Sequence, residues 1–149
     1  MLALFLLGVS LFYGVRSINN VYLDYGYRGS IADSSGQWGA WSSVRVEELL
    51  AEGRPVFVDF TATWCLICQV NKKVALRTDA TESLLIEKGI VALEADWTRY
   101  DSDITEALEN FGRSGVPLYL LHTPDGRVTI LPQSLSNDIV RQAVQKALL

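Results

Sequence analysis

Two cysteines three positions apart, Cys65 and Cys68, are the residues best suited to chemistry in this 149-residue sequence. They follow a short β-branched and aromatic run at 56–60 that is typical of a buried strand, and the pattern predicts a helix that starts at or near Cys65. The first sulfur would then lie at the exposed helix terminus, where free backbone N–H groups and the helix dipole stabilise a thiolate. The pair is suited to thiol–disulfide exchange, with Cys65 as the nucleophile and Cys68 as the resolving thiol.

Two other uses of the cysteine pair are less favoured. A structural zinc site needs about four Cys or His ligands, whereas this sequence supplies only the two cysteines and His122. A purely structural disulfide across so short a loop would restrict the unfolded chain very little. We therefore predict no metal and no separate cofactor, because the cysteine pair is itself the redox centre.

Asp59 is a carboxylate inside an otherwise apolar strand, six positions before Cys65. A buried carboxyl group has a raised pKa and exchanges a proton near neutral pH. We expect Asp59 to accept the proton of Cys68 when a mixed disulfide is resolved. The pattern alone leaves open a solvated carboxylate at the strand end or a local turn bond.

Gly115-Val116-Pro117 precedes a predicted hairpin and is the third informative feature. A proline that begins a strand is confined to a sheet edge or to a special geometry. The pattern alone favours a trans Val116-Pro117 bond, since only about 5–6% of X–Pro bonds are cis.

The remaining periodicity predicts the elements that must position these residues. In chain order they are a helix after Ser42-Ser43, the strand 56–60, a helix from near Cys65 to about Leu76, a helical segment from Asp79, a strand at 90–95, a helix around 104–111, a hairpin of 118–122 and 128–131, and a last helix capped at Ser136. A strand-helix-strand half followed by a strand-strand-helix half predicts an α/β fold, a mixed central sheet with helices on both faces.

The amino-terminal segment is apolar, whereas the chain as a whole is acidic. Residues 2–15 form a charge-free run of 14 residues, which as a helix spans roughly 21 Å of the ~30 Å hydrocarbon core. We predict a partial membrane helix or anchor at 1–15, a turn-rich linker at 16–40 and a folded domain at 41–149. The net charge of −4 and the lack of a Lys/Arg cluster argue against nucleic-acid binding.

Taken together, Asp59, the Trp64-Cys65-Leu66-Ile67-Cys68 segment and Val116-Pro117 resemble the thioredoxin superfamily, over roughly 41–149. The resemblance implies a thioredoxin-like three-layer sandwich. It also implies a cis Pro117 that faces the cysteines, where the backbone beside it pairs with a substrate strand. Trp64, Val116 and Pro117 would then be the substrate-binding residues.

More narrowly, the runs 56–71, 95–98 and 112–119 are similar to the carboxy-terminal domain of DsbD-type thiol:disulfide interchange proteins. This resemblance implies a catalytic domain in the periplasm, associated with the inner membrane through residues 2–15. A membrane domain would donate electrons from cytoplasmic thioredoxin. The domain would then reduce extracytoplasmic thiol–disulfide proteins, including disulfide isomerases and the thioredoxins of cytochrome c maturation.

One residue departs from that pattern, and two other functions stay open. Lys72 stands four residues after Cys68, where some relatives carry a carboxylate. We expect a solvated lysine on the helix face, although a cation nearer the site would favour thiolates. The same cysteines could serve a disulfide oxidant or isomerase. A non-catalytic module could instead recognise partners through Trp64 and Pro117.

Overall fold

The computed structural model describes residues 38–149, which form a five-stranded sheet between two layers of helices. The strands are β1 (Gly39–Ala40), β2 (Val56–Thr61), β3 (Val91–Asp96), β4 (Leu118–His122) and β5 (Val128–Leu131). The helices are α1 (Ser43–Ala51), α2 (Leu66–Asn71) with its π-helical continuation (Lys72–Leu76), α3 (Asp79–Glu87), α4 (Ser102–Asn110) and α5 (Asn137–Ala147). The membrane segment predicted at 1–15 and the linker up to 37 lie outside the described residues.

The sheet has the order β1-β3-β2-β4-β5 and is mixed, as the element order predicts. β1, β3 and β2 run parallel, whereas β4 is antiparallel to β2 and β5 to β4. β2 is central and every one of its residues is buried. Its carboxyl end leads directly to the cysteines, so the most buried strand of the sheet holds the candidate site.

The alternation of side chains along β2 builds two cores. Val56, Val58 and Phe60 pack with α1 and α4 on one face of the sheet. Phe57 packs on the other face with the π-helical turn, α3 and α5. Asp59 has the same parity as Phe57, so its carboxyl group points to the face that the π-helical turn covers.

Local capping explains most of the element boundaries. Side chains of Ser42, Thr78, Asp101 and Ser136 accept backbone N–H groups at the starts of α1, α3, α4 and α5. The helix predicted from near Cys65 to about Leu76 is confirmed, although its second half is π-helical. The strand predicted at 90–95 is displaced by one residue.

The sheet includes Gly39–Ala40, which the sequence analysis assigned to the linker. A strand of two residues has no periodicity to detect, and β1 exists because it pairs with Leu93 and Glu94 of β3. Among residues 38–149, no helix combines the length and the apolar character needed to cross a bilayer.

Candidate active site

The two cysteines form a disulfide where β2 gives way to α2, with their Cα atoms 5.3 Å apart. Cys65 is the residue before α2, and its Sγ accepts the backbone N–H of Cys68 at 3.3 Å. Cys65 retains 7% exposure as a residue, whereas Cys68 has none. Cys65 is therefore the more exposed residue of the pair.

Val116 and Pro117 lie beside the disulfide, on the loop that enters β4. Val116 packs against the small apolar cluster of Ala62, Cys65 and Cys68. The Val116-Pro117 peptide bond is cis, as the family resemblance implies and contrary to the trans bond that the pattern alone favours. The pattern carries only the average frequency of cis bonds, whereas tertiary packing decides the conformation at one particular site.

Trp64 belongs to an aromatic cluster that joins the cysteine loop to the loop after β3. Its indole is 51% exposed and stacks on Tyr100, with ring centroids 5.7 Å apart. Its Nε1 donates to the carbonyl of Thr98 at 3.2 Å, and the Thr63 N–H donates to the Thr98 hydroxyl at 2.9 Å. Trp97 is buried beneath Tyr100 in an edge-to-face contact. The two loops are thus held together beside Cys65.

Asp59 is completely buried, and neither of its carboxylate oxygens has a hydrogen-bond partner among the described residues. Burial raises the pKa of Asp59 from its usual 3.8 to about 7; the positive charge of Lys72 opposes the rise, the negative charge of Glu94 adds to it and Arg77 opposes it. Asp59 is in register with Glu94 on one side and with Tyr119 on the other. The three side chains form a row across the sheet.

Lys72 is not the solvated lysine expected from the sequence, and that expectation is wrong. Its Nζ lies 3.0 Å from Glu94 Oε1, and its side chain is only 19% exposed. Arg77 pairs with Glu94 Oε2, and its guanidinium lies 3.7 Å from the ring centroid of Trp38. The π-helical turn that begins at Lys72 lies against β3. There Glu94, 22 positions later in the chain, supplies the counter-ion of the lysine.

Asn71 is a structural residue of the site that the sequence analysis missed. It is buried, and its Nδ2 donates to the Tyr119 hydroxyl at 2.8 Å and to the Gln133 carbonyl at 2.6 Å. Its Oδ1 accepts the Leu135 N–H at 3.1 Å. One feature of the sequence could have identified Asn71: it lies three residues after Cys68 and therefore on the same face of the helix as the resolving cysteine.

The structure brings Cys65, Cys68, Trp64 and Val116 together at the surface end of β2, with Pro117 buried behind them. Asp59 lies two residues before the end of the same strand, on the face beneath the helix that carries Cys68. Among residues 38–149 there is no group of three or more His, Cys, Asp or Glu side chains arranged to hold a metal ion.

Residues 37–124 match the family described as thioredoxin-like. Over 81 residues the chain is 30% identical to the thiol:disulfide interchange protein DsbD of Ralstonia nicotianae. The matched region covers 54% of this chain and 13% of that protein. The chain thus spans about an eighth of the length of that relative.

Two solved structures share the fold. The reduced carboxy-terminal domain of Neisseria meningitidis DsbD gives a TM-score of 0.56 at 18% identity, covering 70% of this chain and 96% of that domain. A thioredoxin from Thermus thermophilus gives a TM-score of 0.60 at 20% identity, covering 74% of this chain and 88% of that protein. The predicted three-layer α/β fold is confirmed.

Proposed function

Because this chain belongs to the thioredoxin-like family, we propose that it reduces disulfide bonds of extracytoplasmic proteins and is re-reduced by a membrane electron donor. It is a thioredoxin-fold thiol–disulfide oxidoreductase related to the carboxy-terminal domain of DsbD. The observation that carries the proposal is the unequal exposure of the two paired residues, 7% for Cys65 and none for Cys68, where β2 gives way to α2.

In the proposed reaction the protein begins as a dithiol. The Cys65 thiolate attacks one sulfur of a substrate disulfide, and a Cys65–substrate disulfide forms. The other substrate sulfur leaves as a thiolate and takes up a proton. Because Cys65 is the only residue of the pair with any exposure, the substrate would meet this residue first.

The second step releases the substrate. The Cys68 thiol gives its proton to the Asp59 carboxylate, and the resulting thiolate attacks Cys65 Sγ. The bond between Cys65 and the substrate breaks, and the second substrate sulfur leaves as a thiolate that is protonated. Two electrons and two protons have then passed to the substrate, and the protein holds its internal disulfide.

The proposed role of Asp59 is supported by its burial and its raised pKa. A base with a pKa of about 7 is available as carboxylate in about half of the molecules at neutral pH. Asn71, which follows Cys68 on the same helix face, bonds to Tyr119, the strand neighbour of Asp59. Asp59 therefore faces the helix that carries the resolving thiol.

Trp64, Val116 and Pro117 are the proposed substrate-binding residues. Trp64 offers a half-exposed aromatic face beside Cys65, and Val116 contacts the disulfide cluster. An extended substrate segment would pair with the backbone before Pro117. The partners proposed are periplasmic thiol–disulfide proteins, including those of cytochrome c maturation, and residues 2–15 are proposed to associate with the inner membrane. The relationship to DsbD supports these proposals.

One observation favours the second candidate function, a disulfide oxidant or isomerase. A cation near the cysteines stabilises thiolates, and a stabilised reduced form makes a protein more oxidising. Lys72, however, is paired with Glu94, whose negative charge opposes the effect of the ammonium on the cysteines. The structure thus supports the reductant more than the oxidant.

The reduction potential of the Cys65–Cys68 pair tests the direction of the reaction. Equilibration of the full chain with glutathione should give a value near that of thioredoxin, about −270 mV, and a value above about −150 mV would support the oxidant instead.

Covalent trapping tests the mechanism. Cys68→Ser should accumulate mixed disulfides with periplasmic proteins that dithiothreitol releases, because the resolving thiol is absent. Cys65→Ser, the matched control, should trap nothing, since Cys68 is buried. Equal trapping by the two variants would contradict the assigned roles, and no trapping by Cys68→Ser would favour the non-catalytic binding module.

A further inference from the structure

We propose that Glu94 and Lys72 are a positioning pair whose opposed charges adjust the ionisation of the buried Asp59 carboxyl group. This inference rests on the proposed function, in which Asp59 receives the proton of Cys68. Glu94 holds the Lys72 ammonium over the sheet face that carries Asp59, and both charges act on the carboxyl group.

The register of the sheet places Glu94 beside Asp59. The two residues are directly paired in the parallel β2–β3 ladder, and paired residues on adjacent strands point to the same face. Neighbouring strands are about 4.8 Å apart. A carboxylate so close to a fully buried carboxyl group opposes its ionisation.

Lys72 supplies the opposite charge from above the sheet. Its Nζ contacts Glu94 Oε1 at 3.0 Å, and the two side chains are 19% and 28% exposed. Partly buried charges are screened less by salt than charges on the surface. The ammonium belongs to the first residue of the π-helical turn and contacts Glu94, the strand neighbour of Asp59.

Arg77 fixes the pair in place. Its guanidinium bonds to the second oxygen of Glu94 and stacks on Trp38, 3.7 Å from the ring centroid. Both oxygens of the Glu94 carboxylate are therefore engaged by cations. Because Glu94 is held from two directions, the Lys72 ammonium that it binds has a defined position.

The charged and titratable groups that face Asp59 come from every element packed on it. β3 contributes Glu94, and the π-helical turn with the residue after it contributes Lys72 and Arg77. β4 contributes the Tyr119 hydroxyl, whose pKa is raised by burial and which stays neutral. The Cys68 thiol belongs to α2. Of the charges, Lys72 lowers the pKa of Asp59, Glu94 raises it and Arg77 lowers it by less than Lys72 does.

The decisive experiment is a carbon-13 NMR titration of the Asp59 carboxyl group in the oxidised full chain. Lys72→Met removes the cation and should move the titration midpoint of Asp59 to higher pH, by roughly half a pH unit or more. Glu94→Gln removes the anion and should move it to lower pH. Shifts in the same direction, or no shift in either variant, would overturn the proposal.

These paired substitutions separate charge from structure. Both break the same ion pair, so a merely structural role would affect the two variants alike. Lys72→Arg keeps the charge and should retain the wild-type midpoint. Lys88→Met, at an exposed ion pair on the surface, changes the net charge equally and should leave the Asp59 midpoint unchanged. If Lys72→Met does not fold, the downward shift in Glu94→Gln and the retained midpoint in Lys72→Arg still decide the matter.

A second measurement links the pair to the reaction. The pH profile for resolution of a mixed disulfide between Cys65 and a small model thiol should move in each variant with the Asp59 midpoint. Opposite NMR shifts in a chain without any exchange activity would contradict the proposed function and leave the charge pair intact. An active chain whose midpoint ignores both substitutions would contradict the charge pair alone.

Discussion

Replacing Asp59 by asparagine should stabilise the oxidised protein at neutral and alkaline pH. The carboxyl group is completely buried without a hydrogen-bond partner in the described part of the chain, so its ionised form is poorly solvated. Asparagine has a similar shape and no charge to bury. The gain should therefore grow as the pH rises and Asp59 ionises.

The magnitude follows from the two pKa values of this residue. The unfolded chain ionises Asp59 near its usual pKa of 3.8, whereas burial raises the pKa in the folded state to about 7. The stability contributed by the protonated group is fully present below the lower value and is lost as the pH rises to the higher one. At about 1.36 kcal/mol for each pH unit, the loss is about 4 kcal/mol.

Urea unfolding of the wild type and Asp59→Asn, from about pH 4 to about pH 8, measures this loss. The difference in free energy of unfolding should shift in favour of the variant by about 4 kcal/mol across that range and then stay constant. Any fixed cost of packing an amide cancels, because only the change with pH is compared. Asn110→Ala, an exposed substitution that removes no titratable group, should show no such trend. A difference that does not vary with pH would refute the reasoning.

Three further changes in stability are expected in urea unfolding. Asn71→Ala loses three hydrogen bonds, two of them buried and one partly buried, and should cost about 3 kcal/mol. A cost as small as that of the exposed control Asn110→Ala would show those bonds to be unimportant. Asp101→Ala removes the cap of α4 and should lower the free energy of unfolding by about 1 kcal/mol, most of which Asp101→Asn should restore. An unchanged free energy of unfolding in Asp101→Ala would contradict this role of the cap. Leu49 is a fully buried core residue, and Leu49→Ala should cost about 2–5 kcal/mol of stability. The matched control is Val44→Ala, at a residue that is 61% exposed, and an equal loss of stability in the two variants would contradict this prediction.

Local sequence patterns were enough to predict the architecture because its signals span few residues. The hydrophobic run of β2, the turn at Thr123-Pro124-Asp125-Gly126 and the helix caps each lie within one short window. The cysteine spacing and the polar residue in β2 likewise singled out Cys65, Cys68 and Asp59 as candidate site residues. Their catalytic and substrate-binding roles stay predictions until the variants are measured.

Long-range contacts were beyond the reach of those patterns. The two-residue strand β1 exists only because β3 offers it a partner. The sequence predicts Lys72 to be a surface residue, and only the packing of its turn against β3 places it in contact with Glu94. Asn71 donates a hydrogen bond to Tyr119, which is distant in the chain and which the antiparallel pairing of β2 and β4 places nearby.

The amino-acid sequence by itself determined which atoms can react: two sulfurs at a helix start and one carboxyl group in a buried strand. Tertiary structure alone decided the ionisation of the carboxyl group, because burial, opposed by the charges of Lys72 and Arg77 and reinforced by that of Glu94, raises the pKa of Asp59 to about 7. It also decided which cysteine is the more accessible residue, since packing covers Cys68 completely and leaves Cys65 7% exposed. The physical reason is that desolvation and Coulomb interactions depend on distances through space, which spacing along a chain does not specify.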